Sequence, residues 1–240
     1  MNDKVDAVIL AGGRGVRMGS LTMNTPKPLL RIGGRTLLEW VILGLLPLTR
    51  RMVVVIGYHG DQIERFMQMQ NLVTDYRIAR QLSQLGTGDA LHCAKDHVET
   101  EQFLVQNGDD LFSRTTMERL AAVSLGVLTV WRDDPERWGV VVSDASGRIQ
   151  QLDEKPPRGK YTPPARVNAG AYKLDRSIFQ KQLTPSSRGE LELTDYVSDL
   201  CARAPVYPVD ADAWISIGAP DEFAKAEHRD IARILGYSAE

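Results

Sequence analysis

The stretch Val8-Ile9-Leu10-Ala11-Gly12-Gly13-Arg14-Gly15-Val16-Arg17-Met18, closed soon after by Thr25-Pro26-Lys27-Pro28-Leu29-Leu30, decides how the rest of the chain reads. The apolar run Val5 to Leu10 has the length and composition of a buried strand. It ends in three glycines within four positions, with Arg14 among them and Arg17 just beyond. Glycine carries no Cβ, so backbone N–H groups there can turn toward an anion, and Arg14, Arg17 and Lys27 add positive charge. The loop is therefore suited to phosphate, and the chemistry it implies is that of polyphosphates.

Two common glycine loops fit this stretch badly. A Walker loop requires G-x-x-x-x-G-K-[ST], and no Gly-Lys-Ser or Gly-Lys-Thr occurs. A dinucleotide fingerprint needs a third glycine where Met18 sits and an acidic residue ~20 positions on, for which Glu39 is the nearest match. The stretch instead resembles L-A-G-G-x-G-x-R-[LM] followed by P-K-P-[LM]-[LV], the signature of the sugar-1-phosphate nucleotidyltransferases, or sugar-nucleotide pyrophosphorylases. The resemblance runs from Val5 to about Phe223. It is to the short single-domain forms, among them mannose- and heptose-1-phosphate guanylyltransferases and glucose-1-phosphate thymidylyl- and uridylyltransferases.

Composition sets the outer bounds. A chain of 240 residues can bury a full core. The formal net charge of −2 gives no basic field for nucleic acid, so no nucleic-acid partner is expected. Cys93 and Cys201 lie far apart, without C-x-x-C spacing, and read as small apolar side chains in a reducing compartment. The amino terminus lacks a cationic segment followed by an apolar run and a cleavage site. The longest apolar run, Leu37 to Leu48, is interrupted by Glu39 and Gly44 and falls short of the ~20 residues that span a bilayer; it reads as core rather than as an interface. The expectation is a cytoplasmic protein with no membrane partner, its oligomeric state open and a homodimer among the forms allowed.

Apolar strand-like runs alternate with helical patterns. Strands are expected at Val5 to Leu10, Arg51 to Gly57, Val73 to Ala79, Phe103 to Gln106 and Leu125 to Trp131; helices at Thr36 to Leu46, from Gly60-Asp61, after Thr87 and from Thr115. Such alternation predicts an α/β fold with a mostly parallel sheet covered by helices on both faces, its ligands at the carboxyl ends of the strands. A hairpin follows at Val140 to Leu152, turning at Asp144 to Gly147, then a proline-rich loop, Pro156 to Pro164, and a strand, Val167 to Leu174. Helices are expected at Leu191 to Ala204 and Pro220 to Leu235. The resemblance implies a Rossmann-like three-layer sandwich, mixed but mostly parallel, of the nucleotide-diphospho-sugar transferase type. One domain over 1–240 is expected, with a nucleotide half at about 1–131 and a sugar-phosphate half at about 132–240. No left-handed β-helix acetyltransferase module is expected after it.

The turn Asn107-Gly108-Asp109-Asp110 follows a strand, where a carboxylate could meet a metal-phosphate complex. Gln81-Leu82-Ser83-Gln84-Leu85-Gly86-Thr87-Gly88 is glycine-relieved, and Thr87 can cap the next helix or donate to a base edge. By resemblance Asp109 is the Mg²⁺ carboxylate and Asp110 the lesser candidate, while Gln81, Gly86 and Thr87 read the nucleobase. Leu10, Ala11, Gly12, Gly13, Gly15 and Arg17 would hold the nucleotide. The segments Trp138-Gly139-Val140, Glu154-Lys155-Pro156 and Asn168-Ala169-Gly170-Ala171-Tyr172 resemble the family's Y-G-x-[IV], E-K-P and N-[AT]-G-x-Y. They imply that Gly139, Glu154 and Asn168 bind sugar hydroxyls and that Lys155 holds the sugar phosphate. Arg188-Gly189-Glu190-Leu191-Glu192-Leu193-Thr194-Asp195 resembles a stretch of the thymidylyl and uridylyl branches, and reads mainly as a helix start, with Glu190 or Glu192 shaping the acceptor pocket.

One position departs from the pattern. The family's W-x-D-[IT]-G-T-P carries a second metal aspartate, whereas this chain reads Trp214-Ile215-Ser216-Ile217-Gly218-Ala219-Pro220. A neutral hydroxyl is a far weaker Mg²⁺ ligand than a carboxylate. Three outcomes are open: Asp109 acts with phosphates and water, Asp210 or Asp212 substitutes, or activity is attenuated. The reaction implied is attack of a sugar-1-phosphate, or a cyclitol phosphate, on the α-phosphorus of a nucleoside triphosphate, releasing pyrophosphate. Guanine or uracil is the expected base. Arg17, Lys27, Asp109 and Lys155 would be the catalytic residues, acting through charge and position rather than through a general base. The alternatives are a cytidylyltransferase for a small phospho-alcohol and a non-catalytic relative that binds nucleotide-sugars.

Overall fold

A computed structural model describes residues 4–182 and 184–237. Strand β1 (Val5–Leu10) leads into the glycine loop and a kinked pair of 3-10 turns at Val16–Thr22. A two-stranded ribbon, β2 (Arg31–Ile32) and β3 (Arg35–Thr36), precedes α1 (Leu37–Leu45), β4 (Thr49–Ile56), α2 (Gly60–Met69) and β5 (Tyr76–Arg80). Then come α3 (Thr87–Cys93), β6 (Gln102–Asn107), β7 (Asp110–Phe112), α4 (Arg114–Ala122) and β8 (Gly126–Arg132). The second half contains β9 (Gly139–Ser143), β10 (Ile149–Glu154), β11 (Ala165–Asp175), α5 (Leu193–Arg203) and β12 (Tyr207–Asp210). It closes with β13 (Trp214–Ser216), α6 (Pro220–Glu227) and α7 (Ile231–Leu235).

A nine-stranded mixed sheet organises these elements in the order β10-β9-β11-β6-β1-β4-β5, with β8 joined to β11 and β12 to β8. Strands β6, β1, β4 and β5 are parallel, whereas β11 runs antiparallel to β6, β8 and β9. Alternate residues of each strand point to opposite faces. Ala7, Ile9, Met52, Val54, Ile56 and Leu104 therefore pack beneath α1, α2, α4, α6 and α7. Val8, Val53, Val55, Phe103 and Val105 pack on the other side against α3 and α5. Helices on both faces of one sheet give the expected three layers.

Glu39 does not mark a dinucleotide site. Its carboxylate accepts from the Thr36 N–H at 2.6 Å while Thr36 Oγ1 accepts from the Glu39 N–H at 3.1 Å, a capping box that starts α1. The apolar residues of that helix are core: Leu37, Leu38, Val41, Ile42 and Leu45 are at most 1% exposed. Among the described residues no helix is long and apolar enough to cross a membrane.

Several boundaries differ from the sequence reading. The strand expected from Val73 starts at Tyr76, because the Gln70 amide occupies the Val73 backbone, accepting from its N–H at 3.0 Å and donating to its carbonyl at 2.7 Å. The helix expected over Pro220 to Leu235 is two, since Asp230 caps the second by accepting from the Arg233 N–H at 3.1 Å. The helix expected from Leu191 begins at Leu193.

Candidate active site

Two adjoining cavities lie along the carboxyl ends of the parallel strands. The first is lined by Leu10, Ala11, Gly13, Gly15 and Arg17 of the glycine loop, with Lys27, Gly108 and Asp109. The second holds Gly139, Glu154, Lys155, Asn168, Arg188 and Ser216. Arg17, Asp109 and Gly218 line both. The crevice thus has two compartments that meet at a guanidinium and a carboxylate.

The glycine loop is shaped by local contacts. Gly15 sits in the left-handed region at φ 61°, and its carbonyl accepts from Thr22 Oγ1 at 3.0 Å. Gly12 passes close to Gly57 and Gln81, where a Cβ would come within 3.1 Å of Gln81 Oε1. Gly13 faces open space. Arg14 donates to Gln84 Oε1 at 2.8 Å and so ties the loop to the 81–88 segment. Arg17 is exposed and, among the described residues, has no hydrogen-bond or ion-pair partner.

Lys27 is 7% exposed, and its ammonium is paired with the Asp109 carboxylate. Asp110 turns the other way. It accepts from Trp214 Nε1 at 2.9 Å on one oxygen and from Asn107 Nδ2 at 3.0 Å on the other. Burial first, then the neighbouring Asp109, pushes its pKa up to about 7. Gly170, at φ 90°, is required there, since a Cβ would come within 2.6 Å of Asp110 Oδ2.

The segment expected beside a nucleobase is bound to the stretch that leads into α5. The Leu191 N–H donates to the Leu85 carbonyl at 2.7 Å, and the Gly88 N–H to the Leu191 carbonyl at 2.8 Å. Gly86, at φ 126°, packs directly on the Leu191 backbone. Thr87 caps, but not its own helix: its hydroxyl accepts from the Leu193 N–H at 3.1 Å, at the start of α5. The two N–H donors of the Gln81 amide are both engaged, with the Gly86 carbonyl at 2.9 Å and Asp89 at 2.8 Å.

At the second compartment β9 and β10 pair antiparallel, with Glu154 opposite Gly139. A Cβ at Gly139 would lie 2.9 Å from Glu154 Oε2, so glycine makes room for that carboxylate. Burial raises the Glu154 pKa against the opposing pull of Lys155. Lys155 adopts φ 46°, a left-handed conformation unusual for a side chain other than glycine, with its N–H bonded to the Trp138 carbonyl at 2.9 Å. Asn168 Oδ1 accepts from the Gly170 N–H at 3.0 Å, and its amide donates to Tyr172 Oη at 2.6 Å. Arg188 pairs with Glu192 and lies 3.9 Å from Glu154 and 3.7 Å from Glu190.

Ser216 lies opposite Asp110 in the β13–β7 pair, and the next N–H, of Ile217, donates to the Asp109 carbonyl at 3.3 Å. Neither aspartate considered as its substitute reaches this place. Asp210 accepts from Thr129 at 2.7 Å and pairs with Arg166 at 2.9 Å. Asp212 is held by the Ser113 and Thr116 hydroxyls and lies 3.4 Å from Arg119. Tertiary partners claim both, which sequence spacing does not reveal. Sequence reasoning did not single out Arg137 and Glu222, which also line the second compartment. The signal for Glu222 was its place in the first turn of a helix opened by Pro220, four residues beyond Gly218.

The chain belongs to the nucleotidyl transferase family, whose profile matches residues 6–233. Bifunctional protein GlmU of Methanococcus maripaludis (strain C7) is 33% identical over 237 residues, 96% of this chain but 56% of that protein. The chain therefore spans little more than half the length of that relative. The UTP–glucose-1-phosphate uridylyltransferase AglF of Haloferax volcanii is 30% identical over 240 residues, covering 94% of this chain and 96% of AglF. The solved structure of a UDP-glucose pyrophosphorylase complexed with UDP-glucose superposes with a TM-score of 0.82 over 94% of this chain and 97% of that one. At 19% identity that likeness is one of fold.

Proposed function

We propose that the protein transfers a nucleotidyl group from a nucleoside triphosphate to a sugar-1-phosphate, releasing pyrophosphate. The observation that carries this reading is the shared boundary of the two compartments at Arg17 and Asp109. A triphosphate lying along the glycine loop would have its α-phosphorus near that boundary, with an acceptor phosphate approaching from the other side. The halves at about 1–131 and 132–240 would then supply nucleotide and acceptor contacts respectively.

The attacking group is a phosphate oxygen with a second pKa of ~6, anionic near neutral pH without a general base. The main barrier is repulsion between two polyanions, so cations and positioning do the work. Arg17, unpaired among the described residues, would take the charge developing on the departing pyrophosphate. Lys27 would contact the triphosphate, and Lys155 the acceptor phosphate beside Glu154. Glu154 and Asn168 would accept and donate to sugar hydroxyls over Gly139. Backbone at Leu10, Ala11, Gly12, Gly13 and Gly15 would line the phosphates, with Gly86 and Thr87 beside the base; Gln81, its donors engaged, would support that segment.

The donor set fits a divalent cation of the magnesium kind. Asp109 is a single carboxylate whose side chain is 31% exposed, and Ser216 lines the second compartment with it. Magnesium needs only one or two protein carboxylates when substrate phosphates and water complete its shell. Bound there by Asp109, it would screen charge on the reacting phosphate.

Uracil is the base best supported, by the full-length likeness to AglF, with guanine the other arm of the test. The reading places the reaction in the cytoplasm. Pyrophosphate release is measured with Mg²⁺, each of five nucleoside triphosphates and a panel of sugar-1-phosphates and cyclitol phosphates. Release with one base and one sugar phosphate is the expected result. Nucleotide binding without release from any pair would overturn it in favour of a binding protein.

A further inference from the structure

Ser216 leaves the crevice one carboxylate short of the pattern the sequence otherwise follows, and Asp210 and Asp212 are committed elsewhere. Asp110 is committed as well, each of its oxygens holding a donor, Trp214 or Asn107. Glu222 is different. It lies in the first turn of α6, and its side chain folds back so that Oε2 accepts from the Gly218 N–H at 2.6 Å. Its other oxygen has no hydrogen-bond partner among the described residues. The carboxylate is thereby anchored to the segment that carries Ser216, one residue from the Ile217 N–H that bonds to the Asp109 carbonyl at 3.3 Å. Glu222, Ser216, Asp109 and Arg17 line the same compartment.

We propose that Glu222 supplies the second carboxylate for the divalent cation, from a helix one turn downstream of the place that Ser216 leaves neutral. This rests on the reading of the crevice as a nucleotidyltransferase site. Glutamate is longer than aspartate by one methylene, and this one folds back from α6 onto the Gly218 N–H, two residues beyond Ser216. The bond to Gly218 fixes one oxygen and leaves the other for the cation. A purely structural role is the competing account, since a glutamate in the first turn of a helix often reaches back to cap it.

The test uses Mn²⁺ as the probe, followed by electron paramagnetic resonance, titrated into the full chain with UTP and, separately, with GTP. Glu222→Gln preserves size and an acceptor for Gly218, and is expected to weaken Mn²⁺ in the nucleotide complex at least ~10-fold, the scale of losses at metal sites. Metal-free nucleotide binding and the melting temperature should stay at the wild-type values. Adding Ser216→Asp to Glu222→Gln should restore Mn²⁺ affinity. Wild-type Mn²⁺ affinity in Glu222→Gln, or an equal loss of metal-free nucleotide binding, would overturn the assignment of Glu222 alone. Failure of the unaltered chain to bind any of the five nucleoside triphosphates with Mn²⁺ would overturn the functional reading and this inference together.

Discussion

The hydroxyl of Thr87 accepts a hydrogen bond from the N–H of Leu193 at 3.1 Å, across 106 positions of sequence. The residue that opens α3 thus caps α5, whose own N-cap, Glu192, provides no side-chain bond. The segment that opens α3 and the start of α5 are joined there by a helix cap. Gly88 sits at the same joint, where a Cβ would lie 2.5 Å from the Tyr196 ring.

Thr87→Val keeps the shape and removes the acceptor. It should lower stability by about 1 kcal/mol, as loss of a cap does, and reduce the melting temperature by ~2–4 °C. Thr87→Ser should stay within ~0.5 kcal/mol of wild type by the same melt. Equal melting temperatures for the valine and wild-type forms would remove the bond from the stability of the joint.

The start of β4 and the turn before β6 should make the protein acid-sensitive. Arg50 Nη2 bonds to Glu99 at 2.6 Å, and Arg51 bonds to its other oxygen, holding the Glu99 pKa down to about 2 from an ordinary 4.5. A depressed folded-state pKa means the contribution is complete above pH 4.5 and is lost as pH falls toward about 2. The stability difference between wild type and Glu99→Gln, from urea melts, should therefore shrink across that window. Glu99 and Arg50 are exposed, so 1 M salt should shrink it too. A difference that stays constant from pH 6 to pH 2.5 would contradict the assignment.

Arg17 is an exposed cation without a partner among the described residues, so its removal should leave the fold intact. Arg17→Ala should lose at least ~100-fold in turnover with an unchanged melting temperature. Turnover within a few-fold of wild type would remove Arg17 from the chemistry.

Much of the architecture was legible because apolar runs such as Val5 to Leu10 and Arg51 to Gly57 are long enough to carry a pattern. The compact motifs around Arg17, Asp109, Glu154 and Asn168 likewise indicated which residues share the crevice. Short strands gave no such signal: β7 and β13 are three residues each and exist through each other, as Ser216 opposite Asp110 shows. The start of β5 was misplaced because a side chain, Gln70, outcompetes the sheet for the backbone of Val73. The roles of Asp210, Asp212 and Glu222 depend on partners distant in sequence or on a helical reach-back, and no spacing rule separates them.

The central claim is that reaction occurs at the α-phosphorus, where the two compartments meet. It is tested most directly by running the reaction in parallel with nucleoside triphosphate labelled with ³²P at the α or the γ position, together with the sugar-1-phosphate that supports pyrophosphate release. The account predicts that the α label appears in the nucleotide-sugar and the γ label in pyrophosphate. A γ label on the sugar, or inorganic phosphate released without an acceptor, would contradict it.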